Sequence, residues 1–299
     1  MYIGRFAPTP SGPLHFGSII TALASYLDAK HNNGLWKIRI DDIDTPRVVE
    51  GAELSILKNL ENLGLFWDGK ISRQSKNIKE YKNSLEVLRK KNLIYNCHCS
   101  RKQILKTNPA INESFYNNEC RNKNLPSTNN SSIRLISNYE SINFFDRTQG
   151  IQSNNNATCE DFLIKRSDKL FAYQLAVVID DELQSINNIV RGTDLLSSTI
   201  KQCYINNLLN YSDKTYMHIP IATKNNRKLS KGNGDKLETN DFSLILIEAL
   251  KFLQQKIQKD IQSASPKEII KFAEKNWDIE PLKKLSELEL NLNQNLLVD

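Results

Sequence analysis

The fold of this 299-residue chain is decided by a stretch near its start, RFAPTPSGPLHFGS, at Arg5–Ser18. Residues 2–7 have the pattern of a short buried strand, and the apolar residues after Gly17 recur at helical spacing. A segment rich in Pro, Ser and Gly lies between them and predicts a turn. The N-terminus of a helix attracts phosphate because its N–H groups are unpaired and the helix dipole is positive there. The stretch therefore predicts an anion site, with His15 as a hydrogen-bond donor.

Predicted strands and helices alternate beyond this stretch, which favours an α/β fold built on a parallel sheet. Residues 97–160 break the alternation with Asn- and Ser-rich loops. We interpret them as an insertion with a small sheet of its own, in which Ile133–Ile136 and Asn143–Asp146 are strands. The alternation resumes after Asp161, with a strand at Phe162–Lys165. Everything after residue 240 is predicted to be helical.

The composition narrows the class of protein. The net charge is +6, and residues 241–299 carry eight Lys against ten Asp or Glu, which leaves +8 on the first 240 residues. Such an excess suits a polyanion such as RNA, although a mildly basic enzyme without nucleic acid has the same balance. No apolar run spans a bilayer and no export signal is evident, so we expect a cytoplasmic protein. The five Cys then favour metal binding or free thiols over disulfides.

Three carboxylates, Asp41, Asp42 and Asp44, follow the predicted strand Leu35–Ile40. The carboxyl end of a parallel strand faces a ligand crevice, so these side chains are candidate ligand contacts. Clustered Asp residues can hold magnesium. They can equally contact a substrate ammonium group and ribose hydroxyls, or form a capping turn before Pro46.

Two short motifs resemble the signatures of class I aminoacyl-tRNA synthetases. The motif LHFGS, which ends at Ser18, is similar to the first signature, usually His-Ile-Gly-His, and KLSKG at Lys228–Gly232 is similar to Lys-Met-Ser-Lys-Ser. RFAPTPSG at Arg5–Gly12, RIDDID at Arg39–Asp44 and VRGTD at Val190–Asp194 resemble the glutamyl branch. About 60 residues follow the second motif, where a tRNA-charging enzyme carries a large anticodon-binding region. The chain therefore resembles the truncated paralogues, the glutamyl-Q tRNA(Asp) synthetase family.

This resemblance implies a class I synthetase Rossmann-like parallel sheet with a zinc-containing insertion and a short helical C-terminal region. The two halves of the nucleotide-binding domain are 1–96 and 161–240, the insertion is 97–160, and the helical region is 241–299. The implied activity is ATP-dependent activation of glutamate and its transfer to queuosine in the anticodon of tRNA(Asp). Magnesium is expected with the ATP, and the protein is expected to be a monomer whose crevice receives the anticodon loop.

The resemblance also implies site residues. His15 and Lys231 would be catalytic. The glutamate site would comprise Arg5, Phe6, Ala7, Pro8, Thr9, Asp41, Tyr173 and Arg191. The ATP site would comprise His15, Gly17, Ser18, Lys228, Ser230 and Lys231. Asp41 departs from the family pattern, because a Glu that contacts the substrate amino group is usual there.

A zinc site of the pattern Cys-x-Cys, Tyr-x-x-x-Cys is implied in the insertion. It maps to Cys97, Cys99, Tyr116 and Cys120, with one Zn²⁺ per chain. His98 is a rival ligand on composition, but adjacent side chains of a strand point to opposite faces. Thiolates are ordinary zinc ligands, whereas a phenolate is unusual.

Two other functions fit these features. A truncated glutamyl-tRNA synthetase would charge an ordinary acceptor end, and the short C-terminal region argues against it. A catalytically inactive RNA-binding paralogue would need none of the signature residues, yet His15, Arg191 and Lys231 are intact.

Overall fold

The computed structural model describes residues 1–106, 116–137, 142–153, 160–224, 227–228 and 241–289. The helices of these parts are α1 Phe16–His31, α2 Ala52–Asn62, α3 Ile78–Lys90, α4 Arg101–Lys106, α5 Tyr173–Leu183, α6 Leu196–Leu209, α7 Phe242–Phe252 and α8 Pro266–Asn276. Within the described residues, every helix is too short or too polar to cross a membrane.

The strands are short, and several contain only two or three residues. They are β1 Ile3–Phe6, β2 Leu35–Ile40, β3 Ser72–Arg73, β4 Ile94–Cys97, β5 Ser132–Leu135, β6 Asn143–Asp146, β7 Gly150–Ser153, β8 Phe162–Lys165, β9 Asn188–Gly192, β10 Thr215–Ile219, β11 Ile221–Lys224, β12 Arg227–Lys228 and β13 Glu287–Glu289.

Two parallel groups of strands meet at the centre of the molecule. β1, β2 and β3 form one group, and β6, β10 and β9 form the other, with β7 antiparallel at its edge. Asn187 N donates to the Ile3 carbonyl at 3.1 Å, and Ile3 N donates to Asn187 Oδ1 at 2.8 Å, which joins β1 to the start of β9. The strand order reverses there, and such a switch point leaves a ligand crevice at the carboxyl ends of the strands. The predicted parallel α/β fold is confirmed.

Apolar burial stabilises the strand and the helix that flank the turn within Arg5–Ser18. α1 packs against β1 and β2, and its Phe16, Leu23 and Leu27 are fully buried. Trp36 of β2 is also fully buried, with Tyr26 of α1 edge-on to it at 5.1 Å between ring centroids. Each such side chain contributes about 1.5–3 kcal/mol through burial. Phe6 of β1 belongs to the same core, and a second core is built on α3, α5 and α6. The turn between β1 and α1 is thus fixed at both ends.

Two strands in and next to the insertion join other sheets than those expected. β4, β5 and β8 form the small antiparallel sheet. Asn143–Asp146, expected in that sheet, instead joins the central sheet, where Asp146 pairs with Tyr216 of β10. Phe162–Lys165, expected in the resumed α/β pattern, is β8 of the small sheet. Strand propensity identified both segments, but partner choice depends on contacts between residues far apart in the chain.

The described C-terminal region is mainly helical, as expected. α7 is almost entirely apolar, and α8 begins at Pro266 with a capping box between Ser265 and Glu268. The short strand β13 was not expected, and it pairs in parallel with β11. Its sequence, Glu-Leu-Glu, is too short and too charged to predict a strand.

Candidate active site

A cavity of about 560 Å³ lies where β1 and β9 end and α1 begins. The sequence analysis predicted many of its lining residues: Arg5, Phe6, Ala7, Pro8, Thr9, His15, Gly17, Ser18, Tyr173 and Arg191. Arg47 and Asp194 also line it, although neither was assigned a role. The structure therefore brings the predicted glutamate loop and the predicted phosphate-binding helix end to one crevice.

The start of α1 suits an anion. His15 is the residue before the helix, with an extended backbone (φ −94°, ψ 166°), and its carbonyl accepts hydrogen bonds from Ser18 N and Ile19 N. A Cβ at position 17 would lie 3.1 Å from His15 Cε1, so glycine leaves the imidazole the space it occupies. The first turn of α1 contains no acidic side chain, and the positive end of the helix dipole is not offset there.

Arg5 of β1 is held by a buried carboxylate. Its Nε donates to Asp181 Oδ1 at 3.0 Å and its Nη2 to Asp181 Oδ2 at 3.3 Å, and both side chains are only 4% exposed. Asp181 also accepts a hydrogen bond from Arg39 Nη1 at 2.6 Å. Burial alone would raise the pKa of Asp181, but the two guanidinium groups lower it to about 2. Arg5 therefore lines the cavity in a fixed orientation, with its charge partly offset.

Asp41 does not line this cavity. Its carboxylate accepts a hydrogen bond from Arg39 Nε at 2.7 Å, and burial raises its pKa to about 6. Its backbone N–H donates to the Pro8 carbonyl at 3.0 Å, so it lies directly behind the predicted glutamate loop. In this structure Asp41 supports the loop, and Arg39 occupies the carboxylate that was expected to meet the substrate amino group.

The other two carboxylates of the acidic run point to separate partners. Asp42 accepts from the backbone N–H and hydroxyl of Ser75 at 2.8 and 2.6 Å. Asp44 accepts from Arg166 at 3.1 Å. The three carboxylates thus do not form a metal-binding group among the described residues, and the magnesium interpretation of this run is not supported.

Arg191 at the end of β9 is held by uncharged groups. Its Nε donates to His218 Nε2 at 3.1 Å and its Nη2 to Thr199 Oγ1 at 2.6 Å. Its Nη1 is buried and has no partner among the described residues. Tyr173, the first residue of α5, is 38% exposed in the same cavity. The Nη1 group of Arg191 is thus a hydrogen-bond donor that can serve a ligand in this cavity.

The second signature lies mostly outside the described residues. Lys228 belongs by its backbone to β12 and pairs with Thr223 of β11, a strand whose first residues line the cavity. Ser230 and Lys231 lie outside the described part of the chain.

The cysteines form a separate cluster in the Cys module, defined as residues 97–106 and 116–125. The sulfur atoms of Cys97, Cys99 and Cys120 lie within 4.8 Å of one another. The Tyr116 hydroxyl lies 3.5 Å from Cys97 Sγ and accepts a hydrogen bond from Cys120 N at 2.9 Å. His98 is exposed, and its Nε2 lies 3.0 Å from the Pro126 carbonyl. The cluster therefore has the four predicted groups together, and three of them are established metal-ligand types.

The sequence analysis missed several residues around the cavity. Asp181 lies in the last turn of the largely apolar α5, and a carboxylate in such a buried position demands a buried cation, so the pattern carried a usable signal. Asp146, Thr199 and His218 carried none, because each lies in an ordinary strand or helix pattern.

Comparison with known proteins agrees with this geometry. Residues 3–291 match the family described as tRNA synthetases class I (E and Q), catalytic domain. A solved glutamate-tRNA synthetase from Elizabethkingia anophelis is 25% identical with a TM-score of 0.80, and the match covers 97% of this chain and 68% of that one. The fold and the cavity define a class I tRNA synthetase catalytic domain.

Two relatives identify the family of this chain within that class. The glutamyl-Q tRNA(Asp) synthetase of Photorhabdus laumondii is 41% identical over 297 residues, which span 98% of this chain and 92% of the relative. The protein of the same name from Ectopseudomonas mendocina is 41% identical over 280 residues, 93% of each chain. The chain belongs to the glutamyl-Q tRNA(Asp) synthetase family.

Proposed function

We propose that this protein is a ligase that activates glutamate with ATP and transfers it to the queuosine base in the anticodon of tRNA(Asp), acting as a monomer. The cavity between β1, β9 and α1 is the observation that carries this proposal. It brings together two buried arginines for an anionic amino acid and a helix N-terminus for phosphate. The relatives of that name match the chain along almost its whole length.

The first step needs no side-chain nucleophile. The α-carboxylate oxygen of glutamate attacks the α-phosphorus of ATP, the bond to the β-phosphate breaks, and pyrophosphate leaves with its electron pair. Positioning and stabilisation of negative charge supply the rate, as in phosphoryl transfer generally. Arg5, Tyr173 and Arg191 would hold glutamate, while His15 and Lys231 would contact the phosphates. Magnesium would accompany ATP and offset its charge.

The second step transfers the glutamyl group. A hydroxyl of the cyclopentene ring of queuosine attacks the activated carbonyl and an ester bond forms. The bond between that carbonyl and the phosphate oxygen breaks, AMP leaves with its electron pair, and the hydroxyl proton passes to solvent. The anticodon loop must therefore enter the same cavity. Single-stranded loops are recognised by stacking and by contacts to base edges, and their phosphates by basic side chains. Arg47 at the cavity rim is exposed and is suited to such a phosphate contact.

The Cys module would hold one structural zinc ion. Three sulfur atoms and the Tyr116 oxygen lie close enough together for a tetrahedral set. Cys97, Cys99 and Cys120 would bind as thiolates, with Tyr116 as the fourth ligand. The ion would stabilise this module and take no part in the chemistry of the cavity.

Charging assays with labelled glutamate test the proposed function. Three RNAs are compared: tRNA(Asp) carrying queuosine, the same tRNA without queuosine, and tRNA(Glu). We expect labelling of the first alone. Removing the terminal adenosine of the queuosine-containing tRNA(Asp) should not reduce its labelling, because the terminal ribose is not the acceptor. Labelling of tRNA(Glu) that requires its terminal adenosine would identify a truncated charging enzyme instead. Absence of glutamate-dependent pyrophosphate exchange, with and without tRNA, would identify an inactive paralogue.

A further inference from the structure

Asp146 and His218 form a buried pair behind the cavity that the proposed chemistry does not use. Both side chains are fully buried, and His218 Nδ1 lies 2.6 Å from Asp146 Oδ2. On the other side of the ring, His218 Nε2 lies 3.1 Å from Arg191 Nε. The two side chains thus connect the central sheet to a guanidinium in the cavity.

The hydrogen bonds determine where the imidazole proton lies. A guanidinium nitrogen can only donate, so Arg191 Nε requires a lone pair on His218 Nε2. The ring proton is therefore on Nδ1, which donates to Asp146. Burial, together with the positive charge of Arg191, lowers the pKa of His218 and favours this neutral form, although Asp146 opposes the shift.

Asp146 is well placed to impose this tautomer. Its Oδ1 accepts hydrogen bonds from the backbone N–H groups of Thr148 and Gln149 and from the Thr148 hydroxyl, at 2.9–3.0 Å. Burial alone would raise the pKa of Asp146, but these bonds and the one from His218 keep it below the usual value. The Oδ2 atom is then left to accept the proton of His218 Nδ1.

Arg191 is consequently oriented by neighbours that do not neutralise it. Nε and Nη2 are engaged by the neutral His218 and by Thr199, and Nη1 is buried without a partner among the described residues. Tyr216 stacks on His218 at 6.2 Å between ring centroids, which restrains the imidazole further. Arg5 contrasts with this arrangement, because its partner Asp181 carries a charge.

We propose that His218 and Asp146 are positioning residues: Asp146 holds His218 as its Nδ1–H tautomer, and His218 Nε2 then orients Arg191 so that Nη1 meets an anionic group of the substrate. This inference deepens the proposed function and rests on it for glutamate as that substrate. Neither residue touches the reacting atoms.

Asp146→Asn is the sharpest variant because it preserves the shape of the side chain. Its Oδ1 would stay with the donors of Thr148 and Gln149, so its amide nitrogen would face His218 Nδ1. Two donors cannot share that contact, and the ring proton would move to Nε2, where it opposes the Nε–H of Arg191. His218→Leu removes the acceptor altogether, whereas His218→Gln retains an acceptor oxygen near the position of Nε2.

The kinetic readout separates the Michaelis constants of the two substrates in pyrophosphate exchange. We expect Asp146→Asn and His218→Leu to raise KM for glutamate about tenfold or more, with KM for ATP changed less than about twofold and a smaller rise for His218→Gln. Asp28→Asn is the matched control, since Asp28 is another fully buried carboxylate, bonded to Tyr2 and Arg147 outside the cavity. A rise in KM for glutamate no larger than in Asp28→Asn would overturn the proposal.

A spectroscopic readout does not depend on the substrate. The chain has four His, so long-range ¹H–¹⁵N spectra of ¹⁵N-histidine-labelled protein are simple, and His218→Gln assigns the signal of interest. We expect a neutral Nδ1–H ring in the parent and an Nε2–H ring in Asp146→Asn. An imidazolium or an Nε2–H ring in the parent at pH 7.5 would overturn the positioning role. If the parent exchanges no pyrophosphate with glutamate, the proposed function fails, and this spectrum still decides the tautomer.

Discussion

The candidate active-site crevice and the Cys module hold their side chains in place in different ways. The crevice is backed by an extensive hydrophobic core, in which α1 and Trp36 are buried. In the Cys module the buried cluster consists of Cys97, Tyr116 and Cys120, with a few partly buried neighbours. Apolar burial can therefore organise the crevice by itself, whereas the Cys module has little of it, and the proposed zinc ion would supply the remaining stability.

Metal removal should cause the largest loss of stability, and it should destabilise the Cys module alone. Cys97→Ser, or a strong chelator, is expected to unfold the Cys module while the crevice stays folded. Structural zinc contributes on the order of 10 kcal/mol in small zinc modules, more than the apolar burial here can replace. Metal analysis should give one zinc per chain in the parent, and hydrogen exchange should show lost protection in residues 97–106 and 116–125 alone.

Cys203→Ser is the control, since Cys203 is a partly buried free thiol of α6 outside the cluster. Unchanged zinc content in Cys97→Ser would contradict the ligand assignment. Loss of protection throughout the crevice would contradict the independence of the two regions.

Arg5→Ala should have the next largest effect, which is a loss of pyrophosphate exchange in the crevice. Breaking a buried charge pair costs roughly 3–5 kcal/mol, and a loss of that size in transition-state binding slows pyrophosphate exchange by about two to nearly four orders of magnitude. Because Asp181 then loses one of its two guanidinium partners, we expect lower thermal stability as well.

A double variant, Arg5→Ala with Asp181→Asn, separates the two consequences. It removes the carboxylate charge that has lost one of its two partners, so part of the stability should return while pyrophosphate exchange does not. Exchange by Arg5→Ala within about tenfold of the parent would show that Arg5 has a structural role only.

Leu23→Ala tests the apolar contribution directly. Leu23 is fully buried in α1, and such substitutions cost about 2–5 kcal/mol. We expect the crevice to unfold at a lower denaturant concentration, with the zinc content of the protein unchanged. Leu54→Ala is the matched control, because Leu54 is 73% exposed in α2 and should cost less than about 0.5 kcal/mol. Equal effects of the two substitutions would refute the burial argument.

The smallest expected effect is a change in the free energy of unfolding with pH. The pKa of Asp41 is about 6 in the folded protein, against 3.8 for an unperturbed aspartate, so the folded state binds its proton more tightly. Its contribution to stability is complete below about pH 4 and is lost as the pH rises through about 6. At about 1.4 kcal/mol per unit, this loss is at most about 3 kcal/mol.

Asp41→Asn should therefore flatten the fall in unfolding free energy between about pH 4 and about pH 7. Urea titrations at several pH values measure this slope, and Asp42→Asn, at the surface beside Ser75, provides the comparison. A slope in Asp41→Asn as steep as in the parent would contradict the assignment to Asp41.

The sequence anticipated the crevice well because its parts are local. Arg5–Ser18 contains a strand, a turn and a helix start in succession, and each has its own pattern. It did not anticipate that Asn143–Asp146 joins the central sheet or that Glu287–Glu289 pairs with β11. The partner of a strand depends on which backbone edge is nearby after folding, and periodicity carries no record of that edge.

By itself the sequence determined the parallel α/β order, the strand, turn and helix start within Arg5–Ser18, and the grouping of the cysteines. Only the tertiary structure decided how the buried charges are matched. Arg5 meets Asp181, 176 positions away, and His218 meets Asp146, 72 positions away. The physical reason is that alternation of apolar residues reports which side chains are buried. The cost of burying a charge or a polar group is offset only by a particular partner, and the folded chain alone brings that partner into contact.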